Sequence, residues 1–481
     1  MSLSLRGLFT GVFILLFFYI AIGNLLDPDL WWHLRTGQFI VETHTIPHAD
    51  IFSFTRAGNE WVTHEWLTEV IMYGVYSAFG IGGLILLFSA LATGAFTILF
   101  LRNTGHLFTA GAALLSSSLT AWPLFTPRPW LFSALLVSLY LYGLDRYARS
   151  GKTRTLWSLP LLMVLWVNLH GAFGLGLVLI ALYALGIAVD DFIEQKPANE
   201  IVRHLYPLGL ALGGSAIAIL VNPNGARMYT YPFETLGSPA MQQLITEWFS
   251  PDLHDANMQP FAAQLFITLG ALALARGKAR ARDVILVAAF AYASLRASRN
   301  ILYFALVSFP ILVEYVGQWF DTQRTWQWLG PGPNPKMTGV INLIVLLVLT
   351  GVVGTYAWQA IERQSQLQLA TYPVHAANFI QASHPPAPLY NTYNWGGYLI
   401  WQLYPEYQVF IDGRADVYTD PFFRAYADAQ NDEFKGLALL TQYGIRTAIF
   451  PAGDALAGAL SRDPAWQVIF RDSVAVVLTR K

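Results

Sequence analysis

Long runs of apolar residues, separated by short polar connections, dominate the chain as far as about residue 360. One helical crossing of a bilayer needs about 20 apolar residues, and about eleven segments approach that length. They lie at 7–26, 83–101, 108–125, 130–144, 156–168, 172–189, 205–221, 261–275, 284–295, 301–319 and 340–358. The pattern predicts a polytopic α-helical membrane protein with about eleven transmembrane helices.

From about Gln364 onward the pattern changes to short apolar runs of strand length that alternate with helical segments. Strands are predicted at 408–412, 447–451, 466–470 and 474–478, and helices at 422–430 and 435–443. The sequence therefore predicts a transmembrane domain over residues 1–363, with long loops at 27–82 and 222–260, followed by a small α/β domain over residues 364–481.

Composition supports a membrane protein and narrows the chemistry. Hydrophobic residues form 55% of the chain and charged residues 12%, whereas soluble proteins carry roughly a quarter charged residues. A net charge of -1 gives no basic face for nucleic acid, so no nucleic-acid partner is predicted. Without cysteine, disulfides, thiolate nucleophiles and cysteine metal sites are excluded.

Basic residues in alternate connections predict the orientation in the membrane. Positive charge favours the cytoplasmic side of short loops. The residues concerned are Arg146, Arg149, Lys152, Arg154, Lys196, Arg203, Arg276, Lys278, Arg280, Arg282, Arg324 and Lys336. With an odd number of crossings, the long loops and the C-terminal domain face outward. The sequence thus predicts a multi-pass protein of the cytoplasmic (inner) membrane with an extracytoplasmic C-terminal domain.

The first candidate site follows the first apolar run, in the segment Asp27-Pro-Asp29-Leu-Trp-Trp-His33-Leu-Arg35. Ionisable groups at a membrane boundary indicate an exposed loop or a functional cavity. Asp27 fits either a catalytic role or a helix cap with Pro28 at the first helical position. Asp29 is predicted inside that helix, where it would act as a general base or a divalent-metal ligand.

The second candidate lies further along the same loop, at Asp50 and at Trp61-Val-Thr-His64-Glu65-Trp66. His64 beside Glu65 fits proton transfer or metal binding. An interfacial helix with a solvated polar face, which Glu69 continues, explains the same residues. The sequence leaves both interpretations open.

The third and fourth candidates are Glu247 and a set of arginines. Glu247 stands among aromatic and apolar residues, where an unpaired charge is costly. Arg296 and Arg299 lie on the predicted outer side, where positive charge is disfavoured, so they predict an anionic partner such as a lipid phosphate. Arg128, between Pro127 and Pro129, supports the same interpretation. A headgroup contact or a structural salt bridge is the alternative.

Several of these segments resemble the catalytic subunit of oligosaccharyltransferases. Asp29-Leu-Trp-Trp-His33-Leu-Arg35 resembles that family's first outer loop, and Thr246-Glu247-Trp248-Phe249-Ser250-Pro251 is similar to its Ser/Thr-x-x-Glu loop. Arg299-Asn-Ile-Leu-Tyr-Phe304 resembles its arginine-led span near the lipid pyrophosphate. Tyr393-Asn-Trp395-Gly-Gly-Tyr398 resembles its WWDYG region. The broader group implied is the GT-C membrane glycosyltransferases.

The resemblance implies a GT-C-like fold and transfer of a sugar from a polyprenyl-phosphate-linked donor to a glycan or protein acceptor. Membrane lipid is then a second partner. Asp29 would be the base or acceptor-orienting acid with help from Glu247, and Arg299 would bind the donor phosphate. His33, Arg35, His64, Glu65, Trp395 and Tyr398 would line the acceptor site or cavity. Direct displacement would invert the anomeric centre.

Two departures from the family limit what carries over. The acid of WWDYG is replaced here by Gly396 or Gly397, which removes the group linked to sequon recognition. The turn at 125–130 lacks the acidic pair that helps hold metal in that family. No cofactor is predicted outright: a divalent ion such as Mg or Mn stays an open alternative that lacks the support of a second acidic motif.

Two other classes of protein fit part of the pattern. A transporter or flippase of lipid-linked sugars would use the same arginines, but it should show polar or broken positions in the middle of several spans, and few are present. A non-enzymatic membrane assembly factor would use the outer domain for protein binding and would tolerate loss of Asp29.

Overall fold

The computed structural model describes residues 3–23, 25–275, 279–321 and 335–481. Arg276, Lys278 and Arg324, which the predicted orientation uses, lie outside this range. The described helices are α1 (Leu5–Ala21), α2 (Leu30–Thr43), α3 (Trp66–Arg102), α4 (Leu107–Ala121), α5 (Trp130–Ser150), α6 (Ser158–Leu169), α7 (Gly174–Ile193), α8 (Ala198–Ala218), α9 (Tyr231–Gly237), α10 (Pro239–Leu244), α11 (Gln259–Ala273), α12 (Ala281–Arg296), α13 (Ile301–Asp321), α14 (Pro335–Thr371), α15 (Val374–Ser383), α16 (Tyr393–Leu403), α17 (Asp420–Asn431), α18 (Glu433–Gln442) and α19 (Ala455–Arg462). The strands are β1 (Leu389–Tyr390), β2 (Thr447–Pro451), β3 (Trp466–Arg471) and β4 (Ala475–Arg480).

Each apolar segment predicted to span the membrane is largely helical, in α1, α3 to α8 and α11 to α14. In the described ranges, five helical segments are long and apolar enough to cross a bilayer: Trp66–Arg102, Leu107–Leu124, Gly171–Ile193, Ser298–Gln318 and Lys336–Thr371. The apolar helix α1 is shorter. A helical membrane fold is thereby confirmed, whereas the number of eleven crossings stays a prediction.

The small C-terminal sheet has the order β1-β2-β4-β3. β1 is parallel to β2, whereas β2 and β3 are both antiparallel to β4. Three of the four predicted strands are confirmed, with shifted ends for β3 and β4. The helices predicted at 422–430 and 435–443 are also present, as α17 and α18.

The prediction of a strand at 408–412 is wrong. An asparagine side chain makes the backbone hydrogen bonds that a neighbouring strand would otherwise make. The Asn391 side chain accepts the N–H of Phe410 at 2.8 Å and donates to the carbonyl of Ile411 at 2.7 Å. Only an isolated bridge joins Val409 to Ser53. The segment is therefore an ordered loop rather than part of the sheet.

The chain folds into two compact units. The first unit comprises Met1–Gly23, Ile85–Met228 and Glu247–Ala360. The second unit comprises Asn24–Leu84, Tyr229–Thr246 and Ile361–Lys481, so it combines the first long predicted loop and part of the second with the C-terminal segment. The domain boundary at 363 and 364 stays a prediction.

Buried polar side chains join the helices of the first unit. Gln264 of α11 donates to the hydroxyls of Ser117 on α4 and Ser308 on α13, each at 2.9 Å. All three side chains are buried. A buried amide of this kind is stable only where its hydrogen bonds are made, so it fixes how these three helices pack.

Candidate active site

The Asp27–Asp29 segment of the second unit is a turn, and α2 begins at Leu30. Asp29 therefore occupies the N-cap position, which corrects the prediction that it lies inside the helix. Its side chain makes no capping hydrogen bond. Instead, Asp29 Oδ1 accepts the indole N–H of Trp32 at 3.1 Å. The Asp27 carboxylate accepts the backbone N–H of Asp29 at 3.0 Å, so it stabilises the turn.

Three glycines allow close packing in and around this turn, and two of them face the turn itself. A Cβ at Gly413 would overlap the Asp29 carboxylate, and one at Gly397 would overlap the carbonyl of Pro28. A Cβ at Gly396 would overlap the carbonyl of Ile411. In the WWDYG-like segment, Gly397 therefore brings α16 against the Asp29 turn, and Gly396 brings it against the loop at Ile411.

Trp395 and Tyr398 are buried packing residues of α16. The Trp395 indole donates to the carbonyl of Thr371 at 3.2 Å. The Tyr398 ring stacks on Tyr372, with 5.0 Å between the ring centroids. The structure gives both residues a packing role, and contact with an acceptor stays a prediction.

A buried histidine of α2 lies between two glutamates. His33 Nδ1 is 3.3 Å from Glu69 Oε1, and His33 Nε2 is 3.9 Å from Glu65 Oε2. Glu65 and Glu69 lie one turn apart, where two like charges repel each other. Gly37, one turn after His33, allows this approach, since a Cβ there would overlap the backbone carbonyl of Glu69. Glycine on α2 thus places the imidazole against both acids.

His64 and Asp416 add a second acid–imidazole group to the same unit. His64 Nε2 is 3.4 Å from Glu65 Oε1, and the His64 ring packs on Tyr231 with 4.6 Å between centroids. The Tyr231 hydroxyl donates to Asp416 Oδ2 at 3.1 Å. Burial lowers the pKa of His64, but Glu65 and Asp416 outweigh it and raise the pKa to about 9. His64 is therefore a cation near neutral pH. Burial raises the pKa of Asp416.

A fully buried arginine fixes the loop that carries Asp416. Arg414 donates to Asp412 Oδ2 and to Asp50 Oδ1, each at 2.7 Å. Its guanidinium also lies 4.6 Å from the ring centroid of Trp61. Burial opposes the charge of Arg414, but the two carboxylates raise its pKa well above the usual value. Removing one partner of such a buried network typically costs about 3–5 kcal/mol, which makes this a structural anchor.

Arg35 has a structural environment as well. Its guanidinium donates to the carbonyl of Tyr404 and to the side-chain oxygen of Gln38, each at 2.7 Å. It also lies 5.2 Å from the ring centroid of Tyr404. These contacts tie α2 to the end of α16, and a role for Arg35 toward acceptor stays a prediction.

The first unit holds the other predicted site residues in one ion-pair cluster. Glu247 accepts from Arg128 at 2.9 Å and lies 3.6 Å from the guanidinium of Arg299. Each guanidinium also faces an indole: Arg128 lies 4.9 Å from the ring centroid of Trp130, and Arg299 lies 4.6 Å from that of Trp248. Two positive charges and one negative charge leave a net charge of +1, and all three side chains are partly exposed.

This cluster separates the arginines that the sequence grouped together. Arg128 and Arg299 meet on Glu247, whereas Arg296, the last residue of α12, is exposed. Glu247 is engaged by both guanidinium groups, so it holds the arginines in place, and its catalytic role stays a prediction.

The described residues do not form a site for a resident metal ion. Within residues 3–23, 25–275, 279–321 and 335–481, no three His, Asp or Glu side chains are arranged to bind one ion. The two acids of the Asp27–Asp29 turn point to different partners.

Sequence reasoning missed Tyr231, Asp412, Arg414 and Asp416, and it named Glu69 only as part of a solvated polar face, one of two interpretations left open. The segment Asp412-Gly-Arg414-Ala-Asp416 carries alternating charges directly after an apolar run. That pattern was available as a signal. Tyr231 comes from a segment remote along the chain, and no local pattern marks it.

Comparison with solved structures finds this fold in GT-C glycosyltransferases. The chain matches ArnT from Cupriavidus metallidurans in the apo state with a TM-score of 0.54 and 16% identity, covering 97% of this chain and 97% of that one. It matches AglB from Archaeoglobus fulgidus, in complex with an inhibitory peptide and a dolichol-phosphate, with a TM-score of 0.53 and 10% identity, covering 92% and 69%. It also matches an oligosaccharyltransferase of the same organism, tethered to an acceptor peptide with the NVT sequon. That match has a TM-score of 0.52 and 10% identity, and it covers 92% of this chain and 68% of that one.

Comparison of the sequence alone gives no such match. No protein-family model matches the chain. A search of curated proteins finds no match either. The fold therefore carries the similarity: the chain resembles the GT-C membrane glycosyltransferases, as its motifs predict.

Proposed function

We propose that this protein is an integral-membrane glycosyltransferase that moves a sugar from a polyprenyl-phosphate-linked donor to an acceptor on the extracytoplasmic face. The observation that carries the proposal is the meeting of Arg128 and Arg299 on Glu247, within a GT-C-like fold. The dolichol-phosphate bound to AglB is a lipid of the proposed donor class.

The arginine cluster suits a phosphate in charge and geometry. A guanidinium has five N–H donors in a fixed plane, so Arg128 and Arg299 can each bind Glu247 and still donate to phosphate oxygens. The indoles of Trp130 and Trp248 hold the guanidinium planes. As the sugar leaves the donor, negative charge grows on the lipid phosphate, and fixed arginines stabilise it.

Asp29 is the proposed general base. The acceptor oxygen forms a bond to the anomeric carbon while the bond from that carbon to the phosphate oxygen breaks, and its electron pair leaves with the lipid phosphate. The acceptor proton passes to the Asp29 carboxylate. Attack opposite the leaving group inverts the anomeric centre. Asp29 is suited to this role because the indole of Trp32 fixes its carboxylate.

The test measures binding of a polyprenyl-phosphate-linked sugar to the purified protein. Hydrogen bonds from a charged group are worth about 1.5–3 kcal/mol, so Arg299→Ala should weaken donor binding by roughly 10- to 150-fold. Arg299→Lys should keep only part of the donor affinity, since an ammonium group cannot reproduce the two-pronged contact of a guanidinium with phosphate. Mass spectrometry of co-purified lipid should identify the sugar and the lipid.

Arg296→Ala is the matched control, because Arg296 is an exposed arginine three residues from Arg299. It should bind donor like the parent. If Arg299→Ala binds donor as tightly as the parent, the phosphate assignment is wrong. If the donor binds to the parent but no acceptor ever receives its sugar, transport of lipid-linked sugars becomes the better explanation.

A further inference from the structure

The Asp29 carboxylate is the last member of a chain of contacts that begins deeper in the second unit. Trp32 Nε1 donates to Asp29 Oδ1, and Trp32 is itself buried. The Trp32 ring packs on the His33 ring, with 3.6 Å between centroids, and has an edge contact with Trp61 at 6.4 Å. The orientation of Asp29 therefore depends on where His33 holds the indole.

His33 lies between two carboxyl groups, and a proton within this group would stabilise the arrangement. A neutral imidazole has one N–H, yet both ring nitrogens of His33 face glutamate oxygens. If both glutamates were ionised, one nitrogen lone pair would face an oxygen lone pair. One additional proton shared within this group would remove that repulsion. Glu69 Oε2 is buried and has no hydrogen-bond partner among the described residues, so Glu69 fits the role of a neutral acid that donates through Oε1 to His33 Nδ1.

Other charged groups face this group from three elements. Glu65 and the His64 cation lie just before α3, Asp416 and Arg414 lie on the loop after α16, and Tyr231 belongs to α9. Arg414 is already bound by Asp50 and Asp412. Among the described residues, none of these side chains lies within salt-bridge distance of Glu69, whose carboxyl group contacts His33 instead.

We propose that His33 and Glu69 are positioning residues for the reaction: through their shared proton they lock the Trp32 indole, which orients the Asp29 carboxylate toward the acceptor. This inference rests on the proposed function of Asp29 as base. The acceptor proton itself is not passed to His33. When rising pH removes the shared proton, repulsion between His33 and Glu69 should release Trp32 and lower the rate.

The first measurement reports on the indole and needs no activity. In full-length protein labelled with ¹⁵N-tryptophan and held in lipid nanodiscs, the Trp32 Nε1–H resonance is the one that Trp32→Phe removes. It should shift in Asp29→Asn and in His33→Gln. It should stay in place in Glu42→Gln, which changes an exposed glutamate of the same helix. An unshifted resonance in His33→Gln would overturn the positioning role.

The second measurement is the pH–rate profile of sugar transfer. His33→Gln should lower kcat by roughly 100-fold, as expected for a misplaced reacting group, with KM for the donor unchanged. Glu69→Gln should keep activity to higher pH than the parent, because its amide donates to His33 Nδ1 at every pH. Glu69→Ala should not. A parent-like alkaline limb in Glu69→Gln would contradict the shared proton.

The two measurements separate this inference from the proposed function. If the Trp32 resonance moves as expected while Asp29→Asn keeps full transfer activity, the contact chain stands and Asp29 is not the base. If Asp29→Asn is inactive while His33→Gln has parent-like kcat and an unshifted Trp32 resonance, Asp29 stands as base and His33 has no positioning role.

Discussion

Asp27 and Asp29 differ in what each carboxylate contacts, although they are two residues apart. Asp27 accepts a backbone N–H, whereas Asp29 accepts an indole N–H. Asparagine can accept the same hydrogen bonds but is a poor base. Asp29→Asn should therefore lower sugar transfer by roughly 100- to 10,000-fold, the usual contribution of a general base, with donor Kd unchanged.

Asp27→Asn is the comparison variant for this prediction. Its amide oxygen can still stabilise the turn, so transfer should stay close to that of the parent. Rates and donor Kd are measured for both variants at the same pH. Full activity in Asp29→Asn would move the base to another residue or end the glycosyltransferase proposal.

Gly413 offers a way to displace Asp29 without changing its chemistry. The glycine has no left-handed backbone, so alanine is compatible with the backbone there, but its Cβ would overlap the Asp29 carboxylate. Gly413→Ala should reduce transfer by roughly 100-fold. Because small-to-large changes at packed sites typically cost about 1–3 kcal/mol, its Tm should fall only modestly.

Gly453→Ala is the control for Gly413→Ala, since no heavy atom lies within 4 Å of a Cβ at position 453. It should have the rate and the Tm of the parent. A parent-like rate in Gly413→Ala, measured beside this control, would show that the orientation of Asp29 does not limit transfer.

Sequence reasoning at the scale of single residues named Asp29, Arg128, Glu247 and Arg299 but not the contacts that they make. Composition and spacing marked charged groups in unusual places. They could not show that Glu247 binds both arginines, because Arg128 and Glu247 are 119 residues apart in sequence. Such pairs form through tertiary packing, and the local patterns of a single sequence do not reveal contacts between residues that are far apart along the chain.

Among secondary-structure elements, long helices were predicted well and short segments less well. Apolar runs long enough for a membrane became helices because a bilayer leaves the backbone few alternatives. The start of α2 was misplaced by two residues, because the Asp27 side chain stabilises a turn before the helix. The loop at 408–412 was taken for a strand, because its apolar pattern cannot show that Asn391 satisfies its backbone.

His64, in the segment that precedes α3, should make the stability of the fold fall as the pH becomes alkaline. Against the opposing effect of burial, Glu65 and Asp416 raise the pKa of His64 from 6.5 to about 9. Because the pKa is raised in the folded state, protonated His64 stabilises the fold. This stabilisation is complete below pH 6.5 and is lost as pH rises through 9. The shift corresponds to roughly 3 kcal/mol. His64→Gln should therefore show a smaller fall of Tm across this range.

His254→Gln is the control for this pH dependence, because the His254 side chain is fully exposed. It should show the same fall of Tm with pH as the parent. Thermal unfolding of the three proteins in one detergent, below pH 6.5 and above pH 9, makes the comparison. Equal falls in His64→Gln and the parent would mean that His64 carries no stabilising charge.

At the scale of the whole molecule, the sequence predicts one set of connections on the cytoplasmic side and another on the outer side. The first unit contains ion pairs from both sets. Connections with many basic residues meet through ion pairs: Arg149 and Arg280 both bind Glu314, and Arg282 contacts Asp145. A separate cluster joins Arg128, Glu247 and Arg299. This separation supports the predicted alternation of sides along the chain.

The side of the membrane on which each set lies is the last prediction. Lys and Arg near span ends favour the cytoplasm during insertion, before ion pairs such as Arg282 with Asp283 have formed. Reporters fused after Arg282 should therefore report a cytoplasmic position, and reporters fused after residue 365 an extracytoplasmic one. Alkaline phosphatase, which is active only outside, and a fluorescent protein that folds only inside should give opposite results at each position. Phosphatase activity after Arg282 together with cytoplasmic fluorescence after residue 365 would reverse the orientation. The Asp29 turn, which belongs to the same unit as the C-terminal segment, would then face the cytoplasm, and transfer on the extracytoplasmic face would be excluded.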